Sequence, residues 1–248
     1  MRLKLIACKV LFREISMLAA RCDNFVDITW MRQGYHRTPD LLRSTVQEQI
    51  DRIDAGDDPC SCNNEIGDFD AILLGYGLCS NGIVGLQSKR YPLIVPRGHD
   101  CITFFLGSKE RYRSLFDARS GGTYWYTAGW CENVMMPGRK RTELEYNHYL
   151  EKYGEDNAQF LMETEQKWYK EYKAAVYIGN EEDGFPDYGE ETRDAATYLG
   201  WEYVREPADM SLLQAMMDGH WDESRFLVVP PGRHIEPSYD ADIVISSQ

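Results

Sequence analysis

The sequence lacks several features that would assign a class of function directly. No apolar run approaches the roughly 20 residues that a membrane-spanning helix needs, and the apolar stretch within Met1–Cys8 is too short for a secretory signal peptide. Basic side chains are also fewer than acidic ones. The chain has 27 Lys and Arg against 40 Asp and Glu, which gives a net charge of −13. Recognition of a phosphate backbone needs clustered Lys and Arg. We therefore expect a cytoplasmic protein that binds neither membranes nor nucleic acid.

Nucleotide-binding motifs and paired cysteine motifs are incomplete. Gly77-x4-Gly82 lacks the Lys-Ser/Thr of a P-loop, and Gly75-x-Gly77 lacks the rest of a dinucleotide fingerprint. The chain has seven cysteines, an odd number, and no CxxC pair, which argues against a disulfide scaffold. Cys60 and Cys62 are too close in sequence for an easy tetrahedral chelate, so we expect an exposed pair without a role. The roles left open for the other cysteines are metal binding, thiol redox chemistry and core packing.

Short apolar runs alternate with helical patterns toward both ends of the chain. This alternation is typical of a parallel sheet covered by helices on both faces. The predicted strands are Leu3–Val10, Phe25–Met31, Phe69–Gly75, Pro92–Val95, Ala174–Gly179, Trp201–Arg205 and Phe226–Val229. We predict an α/β fold of two Rossmann-like parallel-sheet halves, residues 1–120 and 174–248. A helical, aromatic-rich insert at residues 121–173 separates them.

Two helical regions have clear sequence signals. Thr38-Pro39 predicts a helix start, since proline fits the first helical position, and Leu41 belongs to the apolar face that follows. The charged segment 142–173 is also helical in pattern. It predicts a break near Gly154, with Leu144 and Phe160 facing inward.

A short internal repeat links the two predicted halves. Residues 93–99 are LIVPRGH and residues 227–234 are LVVPPGRH, so each is a strand end followed by proline, glycine and histidine. Two similar halves would place His99 and His234 at strand carboxyl ends across a cleft. A chance match is the alternative.

Four metal-binding side chains follow the predicted strands. Open parallel sheets bind ligands beyond the carboxyl ends of their strands, where Cys8, Cys79, His99 and Cys101 would meet. Three thiolates and one imidazole suit zinc or another thiophilic metal ion. Asp100 would orient His99 and is the one candidate for a catalytic group. The alternatives are ordinary buried cysteines and a histidine that hydrogen-bonds a loop carbonyl.

The same edge carries candidate groups for binding a cofactor. Glycine lets the backbone approach a ligand and exposes its amide groups. Gly75, Gly77, Asn81 and Gly82 would in this way contact a phosphate or carboxylate, and Arg97 would clamp the anion. The alternative is a tight turn that packs a strand against a helix.

Aromatic residues interleaved with glycine form a second unusual segment, GGTYWYTAGW at residues 121–130. Such a loop can cover a flat ligand. Tyr124, Trp125 and Trp130 would then contact a corrinoid, folate-like or other planar cofactor, with His234 or His99 as an axial ligand. A loop packed into a core is the alternative.

Four of these segments resemble the DUF1638 family of anaerobic bacteria and archaea. They are IACKVLFREI (6–15), LGYGLCSNGIVGL (74–86), PRGHDCITFFLGSKERY (96–112) and GGTYWYTAGW (121–130). In the family's central motif a glycine is common where this chain has Ser80. The resemblance implies a role in one-carbon or corrinoid metabolism, with a corrinoid methyltransferase system as a partner.

The leading hypothesis is a metal-dependent enzyme or metal-holding protein with zinc at the thiol site and a small-molecule ligand. The alternative is a non-catalytic protein that holds a corrinoid or folate-like cofactor between the two halves. A third hypothesis is thiol redox chemistry by Cys79 and Cys101.

Overall fold

The computed structural model describes residues 1–59, 61 and 67–247. Cys60 and Cys62 lie outside the described residues, so their predicted exposure stays a prediction. The chain forms two compact units. The first combines Met1–Arg111 with Asp209–Gln248, and the second is Tyr112–Ala208.

The elements are named here in chain order. The strands are β1 (Arg2–Cys8), β2 (Phe25–Met31), β3 (Ala71–Gly75), β4 (Leu93–Pro96), β5 (Thr123–Tyr126), β6 (Ala174–Ile178), β7 (Glu202–Glu206), β8 (Phe226–Val229), β9 (Ile235–Pro237) and β10 (Val244–Ser246). The helices are α1 (Phe12–Ala19), α2 (Pro39–Ala55), α3 (Ile102–Leu106), α4 (Lys109–Ala118), α5 (Ala128–Asn133), α6 (Arg139–Tyr153), α7 (Glu155–Glu165), α8 (Gly189–Leu199) and α9 (Ser211–Asp218).

The first unit is built on a five-stranded sheet in the order β2-β1-β3-β4-β8. Strands β2, β1, β3 and β4 are mutually parallel, as the alternating pattern predicts. Strand β3 is buried at every position and β1 at its five central positions. A strand that is buried at every position, as β3 is, is stable only when both faces of the sheet are covered. The mixed α/β class with parallel strands is therefore confirmed.

The last strand of this sheet runs against the others. Strand β8 pairs antiparallel with β4, with Leu93 opposite Val229 and Pro96 opposite Phe226. The two segments of the LIVPRGH-like repeat are thus neighbours in one sheet, rather than equivalents in two halves. Because their strands are antiparallel, His99 and His234 follow opposite ends of the sheet.

The second unit contains a three-stranded parallel sheet in the order β5-β6-β7. The unit boundaries therefore differ from the predicted ranges 1–120, 121–173 and 174–248. Strands β6 and β7 join β5 in one sheet, and the chain after Ala208 returns to the first sheet through β8. The aromatic-rich segment is thus part of the second unit's own sheet and core.

The predicted start of one helix and the predicted break between two others are confirmed. Helix α2 begins at Pro39, and Gly154 separates α6 from α7. The predicted directions of Leu41, Leu144 and Phe160 are wrong, since these side chains are 47%, 49% and 67% exposed. Within the described part of the chain, no helix combines the length and the apolar character needed to cross a bilayer.

Candidate functional site

The crevice of the first sheet lies where its strand order reverses. From β1 the chain crosses to β2 on one side, whereas β3 and β4 lie on the other side. Ligands of open α/β sheets bind outside the carboxyl ends at this kind of position. Cys8 is the last residue of β1, and the pairing of Ala7 with Gly75 sets Tyr76 beside Cys8. Cys8 and Tyr76 therefore mark the expected ligand position.

The loop after β3 has an unusual backbone. Cys79, Ser80 and Asn81 have φ angles of 48°, 58° and 63°, the left-handed region that non-glycine residues rarely adopt. Hydrogen bonds to the β4–α3 connection hold the start of this loop. Leu78 N donates to Gly98 O at 2.7 Å, and Cys79 N donates to His99 O at 2.9 Å. The connection after β4 thus fixes where the Cys79 thiol lies.

Two thiols of this edge, the buried Cys79 and the half-buried Cys8, stay protonated at neutral pH. Burial raises the pKa of Cys79, and the nearby Asp100 carboxylate and the Cys8 thiol raise it further. Burial also raises the pKa of Cys8, against a smaller opposing effect of a hydrogen bond from the backbone of Val10. Cys8 and Cys79 thus interact electrostatically although they are far apart in sequence. Their convergence on one metal ion stays a prediction.

Tyr76 lies among the thiols of this edge. Its side chain is 4% exposed, and the hydroxyl oxygen has no hydrogen-bond partner among the described residues. Burial raises the pKa of Tyr76 well above its ordinary value, and Cys8, Cys79, Tyr35 and Cys101 add to the effect. Tyr76 was not among the site residues predicted from the sequence. Its position directly after a buried strand, within a glycine-rich loop, was the available signal.

The remaining predicted metal ligands are placed less favourably. His99 has an exposed side chain and meets the thiol loop through its backbone carbonyl. Asp100 accepts a hydrogen bond from Ile102 N at 2.9 Å, at the start of α3. Cys101 is half-buried and directly precedes α3. Across residues 1–59, 61 and 67–247, no three or more His, Cys, Asp or Glu side chains are grouped so that they can hold a metal ion as they stand.

Close packing explains why the loop carries glycine at positions 75, 77 and 82. A Cβ on Gly75 would lie 2.7 Å from the Ala7 Cβ, and one on Gly82 would lie 2.5 Å from the Leu42 Cδ2. Gly77 is in equally close contact with the connection after β4. Asn81 is exposed, and its carbonyl accepts a hydrogen bond from Arg43 at 3.1 Å. The alternative of a tight turn that packs a strand against a helix fits Gly75 and Gly82, which lie against Ala7 of β1 and Leu42 of α2.

Arg97 has a structural position rather than that of an anion clamp. Its side chain is 9% exposed, and it donates to Glu223 O at 2.7 Å, to Asp242 O at 2.9 Å and to Val244 O. The guanidinium thereby ties the β9–β10 hairpin to the first sheet. His234 directly precedes this hairpin. Its Nε2 lies 3.1 Å from Glu236 Oε1, and its side chain is 44% exposed.

The predicted aromatic cover belongs to the packing of the second unit. The Tyr124 ring lies 5.9 Å from Trp201 and 5.7 Å from Trp168. Trp125 packs against Tyr112 at 6.1 Å, and Trp130 is part of α5. These contacts fit the alternative of a segment packed into a core.

A cavity of about 1110 Å³ lies within the second unit. Tyr126, Cys131 and Tyr188 line it, together with residues 132–140 and one side of α8. Burial raises the pKa of Cys131 to about 12, with further contributions from Glu191 and Glu132. The sequence carries no motif for this cavity, because its lining comes from separate segments without a shared pattern.

Comparison with known proteins gives one match. The model of the family described as "Protein of unknown function (DUF1638)" matches residues 30–217, more than half of the chain. No curated protein and no solved structure matches.

Proposed function

This chain belongs to the DUF1638 family, and we propose that it binds a thiophilic metal ion, zinc in the first instance, at the carboxyl edge of its five-stranded sheet. Cys8 and Cys79 would be the first two ligands. Cys101, which precedes α3, would be the third. The observation that carries the proposal is the interaction of the buried Cys79 thiol with the half-buried Cys8 thiol at the point where the strand order reverses.

The charges of this edge favour a cation over an anion. The groups that act electrostatically on Cys79 and Tyr76 are Asp100, cysteine thiols and the Tyr35 phenol. Arg97, the nearest predicted anion clamp in sequence, is occupied by backbone carbonyls. A phosphate would find no compensating charge among these groups, whereas a cation would be stabilised by thiolates and a carboxylate.

Binding would require the ligands to close around the ion. Cys8 and Cys79 are neutral in this fold, so each would release a proton on coordination. A bound ion of this class supplies a Lewis acid when one coordination position stays open. Cys101 would have to approach the other two thiols, because no three-ligand group is preassembled among the described residues. His99 would need to turn inward from its exposed position to complete a fourth contact.

The metabolic setting of the proposal comes from the resemblance described above. One-carbon or corrinoid metabolism, with a corrinoid methyltransferase system as partner, is consistent with a thiol-rich metal site. The alternative of a corrinoid- or folate-like cofactor held without catalysis makes a different prediction for the purified protein, and the same experiment separates the two.

The test is the metal content and absorption spectrum of protein purified without oxygen. We expect about one zinc per chain, or one Co²⁺ after exchange with sulfur-to-cobalt absorption in the near ultraviolet. Cys8→Ser and Cys79→Ser should lose the ion. Cys131→Ser, which changes a half-buried thiol of the second unit, is the matched control and should retain it.

Three results would contradict the proposal. A metal-free wild type with freely titrating thiols would favour thiol chemistry. A visible corrinoid spectrum would favour the cofactor-holding alternative. Equal metal content in the wild type and in Cys79→Ser would show that the metal ion binds elsewhere in the chain.

A further inference from the structure

The cavity of the second unit lies between two walls that meet at one close contact. One wall is the segment of residues 132–140, and the other is one side of α8. A Cβ on Gly138 would lie 3.2 Å from the Ala195 Cβ, so the two walls touch at this point. The buried hydroxyl of Tyr126, in β5, donates to Pro137 O at 3.0 Å. The first wall is therefore held by contacts with both α8 and β5.

Carboxylates outnumber basic side chains in the lining of this cavity. The four acidic residues are Glu132, Glu143, Glu191 and Asp194, and the two basic ones are Arg139 and Lys140. The Arg139 guanidinium is engaged, since it lies 4.9 Å from the ring centroid of Tyr198. Glu191 and Asp194 form no ion pair with any of the residues that the structure describes. The cavity is therefore electronegative, and the net charge of −13 adds to this potential.

Aromatic and thioether side chains form the apolar part of the lining. They are Tyr126, Tyr188, Tyr198, Met135 and Met136. The faces of aromatic rings attract cations, as the contact of Arg139 with the Tyr198 ring illustrates. Tyr188 joins the apolar and acidic parts, since its hydroxyl donates to Glu132 Oε1 at 3.3 Å. The lining thus suits a ligand that carries a positive charge on an apolar body.

We propose that this cavity binds a small organic cation, an ammonium group attached to an apolar body. The ammonium group would lie along α8, where Glu191, Asp194 and Tyr198 share one side of the helix through spacings of three and four residues. A volume of about 1110 Å³ is sufficient for a small molecule. The site lies wholly within the second unit, so the inference does not depend on a metal ion in the first.

The test is calorimetric titration of the purified full chain with three probes of similar shape. They are 2-phenylethylamine, which is a cation at neutral pH, 2-phenylethanol, which is neutral, and phenylacetate, which is an anion. We expect the amine to bind at least about fivefold more tightly than the alcohol, the effect of an ion pair at a partly exposed site, and phenylacetate to bind more weakly than either. High salt should reduce the preference. Equal binding of amine and alcohol, or no binding of the amine, would overturn the inference.

Substitutions on α8 test the carboxylates of the lining. Glu191→Gln should weaken binding of 2-phenylethylamine about three- to fivefold, and the double variant with Asp194→Asn about tenfold or more. Glu190→Gln is the matched control, because it makes the same change of charge at a neighbouring residue outside the lining, whose side chain is 81% exposed and lies 3.4 Å from Arg193. It should bind the amine like the wild type. The same loss in Glu190→Gln and Glu191→Gln would show that only the net charge matters, and would refute the assigned site.

The Cys131 thiol reports where the probe binds, because it lines the cavity. Saturating amine should slow the alkylation of Cys131 by iodoacetamide, measured by mass spectrometry. Alkylation of Cys22, a half-buried thiol of the first unit, should be unchanged. Binding that leaves the Cys131 rate unaltered would place the amine elsewhere and overturn the inference. Cys79→Ser should bind the amine like the wild type, so a failure of the metal proposal leaves this inference standing.

Discussion

Gly77 offers a direct test of how the two loops of the candidate site are joined. A Cβ at this position would lie 2.8 Å from both Asp100 N and Gly98 O, and 2.9 Å from the Asp100 Cα. All three atoms belong to backbone, which cannot rotate away. The Gly77 backbone is outside the left-handed region, so alanine meets no conformational penalty there. The effect of Gly77→Ala is therefore steric.

The loss of stability expected for Gly77→Ala follows from the contacts that the added methyl group would displace. Relieving the overlap separates the loop after β3 from the connection after β4, and stretches the bonds from Leu78 N to Gly98 O and from Cys79 N to His99 O. Each backbone hydrogen bond contributes about 1 kcal/mol, and local overpacking costs about 1–3 kcal/mol. We expect Gly77→Ala to lower the free energy of unfolding by about 3 kcal/mol, or the melting temperature by roughly 6–12 °C.

The assay is urea and thermal unfolding followed by circular dichroism, with Gly85→Ala as the control. Gly85 has φ of 86°, and the nearest atom to an added Cβ would be the Arg43 Cδ at 3.9 Å. Its substitution costs only the left-handed conformation, about 1 kcal/mol. If Gly77→Ala is no less stable than Gly85→Ala, the two loops are not in contact. The placement of Cys79 beside Asp100 would then fail as well.

Two further substitutions test separate features of the first unit. Ser80→Gly should raise the free energy of unfolding by about 1 kcal/mol in urea, because φ of 58° strains serine but not glycine; an unchanged or lower stability would contradict the left-handed assignment. Arg97→Met should lower it by about 3 kcal/mol, since three carbonyls lose a charged donor. Arg113→Met, at an ion pair whose arginine is 74% exposed, should change it by less than about 0.5 kcal/mol. Equal effects of the two arginine substitutions would refute the role given to Arg97.

The sequence by itself determined the class of the fold and the sheet edge that carries the thiols. Continuous apolar runs such as Ala71–Gly75 mark strands buried on both faces. Pro39 and Gly154 mark a helix start and a helix break through their own backbone preferences. The carboxyl ends of parallel strands share one edge, so Cys8 and Cys79 were predictable at the same edge of the sheet.

Tertiary structure alone decided the partners of individual side chains. Apolar content does not encode strand direction, so the antiparallel return of β8 and the separation of His99 from His234 have no local signal. Arg97 is sequence-adjacent to the site, yet it is held by residues more than a hundred positions away. That the buried Tyr76 hydroxyl has no hydrogen-bond partner among the described residues also depends on the whole surrounding shell. Burial and hydrogen bonding are sums over distant contacts, which no short stretch of sequence contains.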